Sequence, residues 1–180
     1  CILYAMEELK NQEILLNKKK LRSQMKTKLS LFCANQKEAE SASNQACRIF
    51  LNSKEYKACQ NLFCFVSLKN EIKTDLILHT ALQDKKTVLI PRVISETQMD
   101  FYFLKNDLPL ENQLISGFFG ILEPADFLQK FEPDEKKLDS EEAKNLMLLP
   151  GLAFSPCGFR LGRGKGYYDR YLARIAKKIK

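Results

Sequence analysis

Apolar residues recur at three- and four-residue steps early in the chain. Leu21, Met25, Leu29 and Phe32 share one stripe, and Lys18, Lys19, Lys20, Lys26 and Lys28 fill much of the rest. That spacing predicts a helix from Glu7 to about Phe32, and a second from about Glu38 to Asn52. The period then changes. Leu62 to Ser67 (LFCFVS) is a continuous apolar, aromatic-rich run of the kind a strand buried on both faces carries. A polar turn follows at Leu68 to Glu71, then a helical stretch from Thr74 to about Gln83 and a second strand-like run at Thr87 to Pro91 (TVLIP). Strand, helix and strand with short connections predict a right-handed βαβ unit and a parallel sheet. Met99 to Leu104 (MDFYFL) reads as a further strand, and Gly117 to Pro124 (GFFGILEP) as an ordered loop with a short extended piece. Leu146 to Leu149, stopped by Pro150-Gly151, reads as a central strand. The charged stretch from Ala125 to Asn145 is expected as a surface excursion or helix, and Asp169 to Ile179 as a closing helix. The expected fold class is α/β, a single domain with an open, mostly parallel sheet flanked by helices. Ligands of such sheets bind outside the carboxyl ends of the strands, so Ser67 to Glu71, Pro91-Arg92 and the segment after Pro150 are expected to converge on one cleft.

Charge narrows the function. From Gly158 to Lys180 eight Lys or Arg face Asp169 alone, a surplus of seven that equals the net charge of the whole chain, +7. Basicity is therefore local. A nucleic-acid coat usually spreads its positive charge as a stripe over a face, whereas this concentration suits a small anionic ligand at least as well. The six cysteines (Cys1, Cys33, Cys47, Cys59, Cys64, Cys157) form no CxxC pair, and His79 is the sole imidazole, so no zinc constellation is present. They read as reduced thiols in a cytoplasmic protein. No apolar run approaches the roughly 20 residues that span a bilayer, so no membrane association is expected. Met6 is the first methionine and reads as a possible natural start, with the five residues before it an extension.

The densest chemistry lies in Arg160-Leu161-Gly162-Arg163-Gly164-Lys165-Gly166-Tyr167-Tyr168-Asp169. Alternating glycines let backbone N–H groups approach an anion and adopt the positive φ values of a phosphate-cradling nest. Arg160, Arg163 and Lys165 add permanent charge, and Asp169 could hold a magnesium ion against the phosphate. Two familiar phosphate motifs do not fit. Lys165 is followed by Gly166 rather than Ser or Thr, and the spacing is GxGxG late in the chain rather than GxGxxG after the first strand.

The string RLGRGKGYYD, preceded by Pro150-Gly151-Leu152-Ala153-Phe154 and Gly158, resembles the 5-formyltetrahydrofolate cyclo-ligase (5,10-methenyltetrahydrofolate synthetase) family. Lys18, Leu21 and Arg22 resemble its N-terminal KxxLR element. Phe65-Val66-Ser67 with Glu71-Ile72, Ile90-Pro91-Arg92, Met99-Asp100 and the Gly117 to Pro124 piece resemble further family segments. The resemblance implies a NagB/RpiA-like three-layer sandwich. It implies ATP- and magnesium-dependent closure of 5-formyltetrahydrofolate to 5,10-methenyltetrahydrofolate with release of ADP and phosphate. It also implies phosphorylation of the formyl oxygen followed by attack of N10. By position it puts ATP on Lys18, Arg22 and Arg160, Leu161, Gly162, Arg163, Gly164, Lys165, Gly166, Tyr167 and Tyr168, with Arg163 and Lys165 as the catalytic cations. It puts folate on Val66, Glu71, Phe119 and Tyr167, and magnesium on Asp169. A monomer taking this small-molecule substrate, with or without a polyglutamate tail, and with no nucleic-acid partner, is expected. The family continues past the post-loop helix into a strand region with another metal-associated acid, so the sequence ending at Lys180 is either a piece of a longer protein or a short member.

Blander readings stand beside these. Lys18 to Lys28 could be a solvated helix face, Glu71 an exposed turn acid, Phe119 a core residue, and Asp169 an acid stabilised at a helix N-terminus. The basic loop could also serve nucleic-acid binding, or ATP binding without catalysis.

Overall fold

The computed structural model describes residues 2–117, 120–133 and 144–176, with side chains of the first helix described from Glu8. The chain opens with the helices α1 (Ile2–Ala34), α2 (Gln36–Asn52) and α3 (Lys54–Ala58). Asn35 separates the first two. Its Oδ1 accepts the Glu38 N–H at 3.3 Å and its Nδ2 donates to Glu38 Oε2 at 3.0 Å, a reciprocal cap that starts α2. Ser53 caps α3 by accepting the Tyr56 N–H at 3.1 Å. The packed face of α1 runs through Arg22, Met25, Leu29 and Cys33, whereas Leu21 and Phe32 stay exposed. The true stripe is thus rotated from the apolar one read from sequence, and it includes an arginine.

The sheet has four strands: β1 (Asn61–Phe63), β2 (Thr87–Val93), β3 (Met99–Phe103) and β6 (Asn145–Met147), in the order β3-β2-β1-β6. β1 runs parallel to both β2 and β6, and β2 pairs antiparallel with β3. Helix α4 (Asp75–Gln83) makes the β1-to-β2 crossover. Two short antiparallel ladders lie beside the sheet: β4 (Leu114–Ser116) with β5 (Leu122–Pro124), and β7 (Ala153–Phe154) with β8 (Arg160–Leu161). Helix α5 (Tyr167–Ala176) closes the described chain.

Alternation along the strands divides the core in two. Leu62, Cys64, Val88 and Ile90 pack with Cys47 of α2, Tyr56 of α3 and Leu78 of α4. Phe63, Leu89 and Phe101 face the other way and pack with Phe131 and with Tyr171 of α5. Helices therefore cover both faces of a mostly parallel sheet, giving three layers. Phe63 stacks edge-on against Phe101 and Phe131 at centroid separations of 5.1 and 5.3 Å.

Three expectations need correction. The run Leu62 to Ser67 is strand only to Phe63. The Cys64 N–H still donates to Leu89 O, but Thr74 Oγ1 takes the Phe65 carbonyl at 2.7 Å, and the chain turns out of the sheet. The LMLL strand is not central, because among the described residues β6 pairs with β1 alone. The charged stretch after Ala125 is not wholly a surface excursion. Phe103 N–H donates to Gln129 O and Phe131 N–H to Phe101 O along the outer edge of β3, and Leu128 and Phe131 are buried.

Candidate active site

Where the chain leaves β1 and β2 it bounds a cavity of about 420 Å³, within the range of small-molecule sites. Phe65, Val66 and Leu68 come from the segment after β1, and Pro91 and Val93 from the end of β2. The glycine-rich loop between β8 and α5 forms the opposite wall. The convergence expected outside the strand ends is therefore observed for two of its three named segments and for Pro91 of the third. Arg92 points elsewhere, pairing with Asp126 at 2.7 Å.

The loop is held at both shoulders. On the near side, β7 and β8 form a hairpin tightened by a positive φ at Gly158, with Ser155 N–H donating to Phe159 O at 2.8 Å. Arg160 Nη1 donates to Pro150 O at 2.8 Å, its Nη2 pairs with Asp169, and its guanidinium lies over the Tyr168 ring. On the far side the chain enters α5 at Tyr167, and Arg170 N–H donates to Gly166 O. Tyr167 Oη donates to Ser95 O at 3.2 Å, and Arg170 Nε to Thr97 O at 2.6 Å. Between the shoulders, Gly164 has φ +107°, a conformation L side chains rarely adopt. The Arg22 guanidine group lies against it.

Arg22 Nε donates to Gly162 O at 3.0 Å, which is why α1 turns an arginine inward. Arg163 Nε donates to Glu71 Oε1 at 2.8 Å, and Glu71 Oε2 accepts Leu68 N–H at 3.0 Å. Lys18 and Lys165 also line the cavity and make no ion pair among the described residues. Burial pushes the Tyr168 phenol well above its ordinary value, so it remains a neutral hydroxyl.

The predicted residues Lys18, Arg22, Val66, Glu71 and the whole run Arg160 to Asp169 thus surround one space. Phe119 lies outside the described residues. Sequence reasoning missed Met99, Ile121, Leu122 and Glu123 of the cavity wall. Glu123 is buried and accepts the Val93 N–H at 3.2 Å. The one sequence signal for it is its place in the Gly-Ile-Leu-Glu-Pro run.

The arrangement suits an extended ligand with an apolar, ring-bearing part and a polyanionic part. The first would lie among Val66, Leu68, Pro91 and Met99, with a carboxylate at Glu71 for donor groups. The second would lie on a nest with two ammonium groups, Lys18 and Lys165, that are unpaired among the described residues. Among the described residues no three acids, histidines or cysteines cluster as a metal site. Asp169 is exposed, with one oxygen on Arg160, so a cation there would rely on ligand phosphate and water for most of its oxygens.

Known proteins resemble this chain in sequence and in fold. A "Probable 5-formyltetrahydrofolate cyclo-ligase" of Caenorhabditis elegans is 35% identical over 159 residues, covering 87% of this chain and 72% of the relative. A "5-formyltetrahydrofolate cyclo-ligase, mitochondrial" of Arabidopsis thaliana is 35% identical over 133 residues, 69% of this chain and about half (47%) of that protein. The solved structure of Aquifex aeolicus 5,10-methenyltetrahydrofolate synthetase superposes with a TM-score of 0.67 at 26% identity, over 91% of this chain and 73% of that one. The model of the 5-formyltetrahydrofolate cyclo-ligase family matches residues 15–180, and the chain belongs to that family.

Proposed function

We propose that the chain catalyses ATP- and magnesium-dependent cyclisation of 5-formyltetrahydrofolate to 5,10-methenyltetrahydrofolate, releasing ADP and phosphate. The observation that carries the proposal is the cavity itself, an apolar slot with Glu71 on one wall and the Arg160 to Tyr168 loop on the other. Phosphoryl transfer asks a protein mainly to position the groups and neutralise charge. Lys18, Arg22, Arg163, Lys165 and the loop N–H groups are placed for the nucleotide phosphates. Val66, Tyr167 and Glu71 are placed for the folate, with the carboxylate facing the donor edge of the pterin. Magnesium held by Asp169 would neutralise phosphate charge.

In this reading the formyl oxygen receives the γ-phosphoryl group, which makes it a leaving group. N10 then attacks the formyl carbon and gives up its proton to solvent, the C–O bond breaks, and phosphate departs. Arg163 and Lys165 stabilise the charge that builds on the transferred group. No covalent bond to the protein is needed. The proposal includes a monomer in the cytoplasm. Cys33, Cys47, Cys59, Cys64 and Cys157 are all free thiols, and among the described residues no helix is long and apolar enough to cross a membrane.

The test is to incubate the chain with 5-formyltetrahydrofolate, magnesium and ATP and to follow the near-ultraviolet absorbance of the methenyl product. Product should form only when ATP is present. Arg163→Ala should lower kcat by roughly 10²-fold or more, as expected for loss of a donor to transition-state charge. Glu71→Ala should mainly raise the KM for folate. Near-normal turnover in both variants would sink the site assignment.

A further inference from the structure

Within the cavity one contact joins the two walls. Arg163 Nε and Glu71 Oε1 lie 2.8 Å apart across 92 residues of sequence. Their side chains are 34% and 13% exposed, so water screens the pair only in part. Neither group is saturated. Each Glu71 oxygen accepts one hydrogen bond, from Arg163 or from Leu68 N–H, and each has capacity for another. Arg163 engages only Nε, which leaves its two terminal nitrogens without a protein partner among the described residues. A planar guanidinium can hold a carboxylate on one edge and a phosphate on another, whereas an ammonium is a single point charge.

We propose that the Arg163–Glu71 pair is a bridge that couples the two ligands. Beyond its part in stabilising the transferred group, Arg163 fixes through Nε the carboxylate that receives the pterin while its terminal nitrogens close on the nucleotide phosphate. The inference rests on the functional reading above. Neither ligand has to break the contact, and whichever binds first holds the two side chains in the paired geometry, so the second meets less of the ordering cost and the coupling is positive. Thermodynamic linkage makes it equal in both directions.

The test is equilibrium binding without turnover, using a non-hydrolysable ATP analogue with magnesium, and 5-formyltetrahydrofolate. In the unaltered chain each ligand should tighten the other by about fivefold or more. In Arg163→Lys, which keeps the charge, and in Glu71→Gln, which keeps the shape, that ratio should fall to about one. The double variant should lose no further coupling. Thermal melting identifies any variant that fails to fold, and Arg163→Lys then decides the matter alone. Coupling that persists in Arg163→Lys overturns the bridge. If the unaltered chain binds both ligands independently or antagonistically, the bridge falls and the functional reading stands. If it binds neither, both fall.

Discussion

Asp100 is the buried charge on which the position of α5 depends, and Asp100→Asn tests that dependence. Its carboxylate is 3% exposed on β3. It accepts from Arg174 of α5, from Lys130 Nζ at 3.2 Å and from Gln98 Nε2 at 3.0 Å, while Arg174 also donates to Met99 O at 3.1 Å. Asparagine keeps the shape and removes the charge that both cations face. Removing one partner of a fully buried pair costs about 3–5 kcal/mol. Here the Arg174 and Lys130 side chains are 37% and 39% exposed and can rehydrate, so about 2 kcal/mol is expected at pH 7. For a domain of this size that lowers Tm by roughly 4–8 °C.

The pH dependence supplies a second readout. Burial opposes ionisation of Asp100, but hydrogen bonds from Arg174, Gln98 and Lys130 outweigh it and hold the carboxyl below its ordinary range. A depressed native pKa means stability that is present above the unfolded value, about 3.9, and is lost as pH falls through the lower native value. The gap between the native chain and Asp100→Asn, measured by urea denaturation, should therefore be full at neutral pH and close in acid. A gap below about 0.5 kcal/mol at pH 7, the size expected of an ordinary surface change, would refute the reasoning. So would a gap that does not shrink on acidification.

Tyr171 has a buried hydroxyl with no hydrogen-bond partner among the described residues. Tyr171→Phe should therefore raise stability by about 0.5–1 kcal/mol, and a loss above 1 kcal/mol in the same denaturation assay would mean that the hydroxyl has a partner. A Cβ on Gly117 would lie 2.2 Å from Glu123 Oε2, whereas one on Gly120 meets nothing within 4 Å and only the strain of φ +68°. Because Glu123 is buried and bonded to Val93 N–H, Gly117→Ala should destabilise by about 1–3 kcal/mol and by more than Gly120→Ala. Denaturation midpoints in the reverse order would contradict this packing of Gly117 against Glu123.

Periodicity carries the layers of this fold because each strand position faces one of two helical layers, as Leu62 and Phe63 do. It carries neither strand order nor strand length. LMLL reads as central because it is apolar throughout, yet its neighbours are fixed by chain crossings that no local pattern records. The β1 run ends early because a threonine nine residues on captures the Phe65 carbonyl. In the site, the glycine loop was legible since its residues are contiguous and their chemistry is concentrated. Glu123 and Met99 were not, since an acid and a methionine become cavity wall only through the packing of distant strands. Arg92 shows the converse. It sits at the expected strand end but finds Asp126 instead of the cleft.

The charge of the loop also reads differently in three dimensions. As sequence, its cations are a basic patch open to any polyanion. In the fold, Arg22 is engaged by Gly162 O, Arg160 by Pro150 O and Asp169, and Arg163 by Glu71. These contacts shape the loop and tie it to α1, to α5 and to the segment after β1, while among the described residues Arg22 and Arg163 each engage only Nε and keep their terminal nitrogens for phosphate. Among the described residues Lys18 and Lys165 have no protein counter-charge, and both line the cavity. An extended nucleic-acid backbone gains affinity from many phosphates meeting cations along a surface, whereas a cluster of N–H groups and two ammonium groups around one concave space favours a compact polyphosphate. Binding of the proposed nucleotide should accordingly depend on Lys165 far more than on the exposed lysines at 19, 20, 26 and 28. Lys165→Ala should weaken the ATP analogue by about tenfold or more, the scale of one charge-assisted hydrogen bond, with little change for Lys26→Ala. Equal losses at the two positions, measured by titration at fixed ionic strength, would return the loop to a diffuse basic patch.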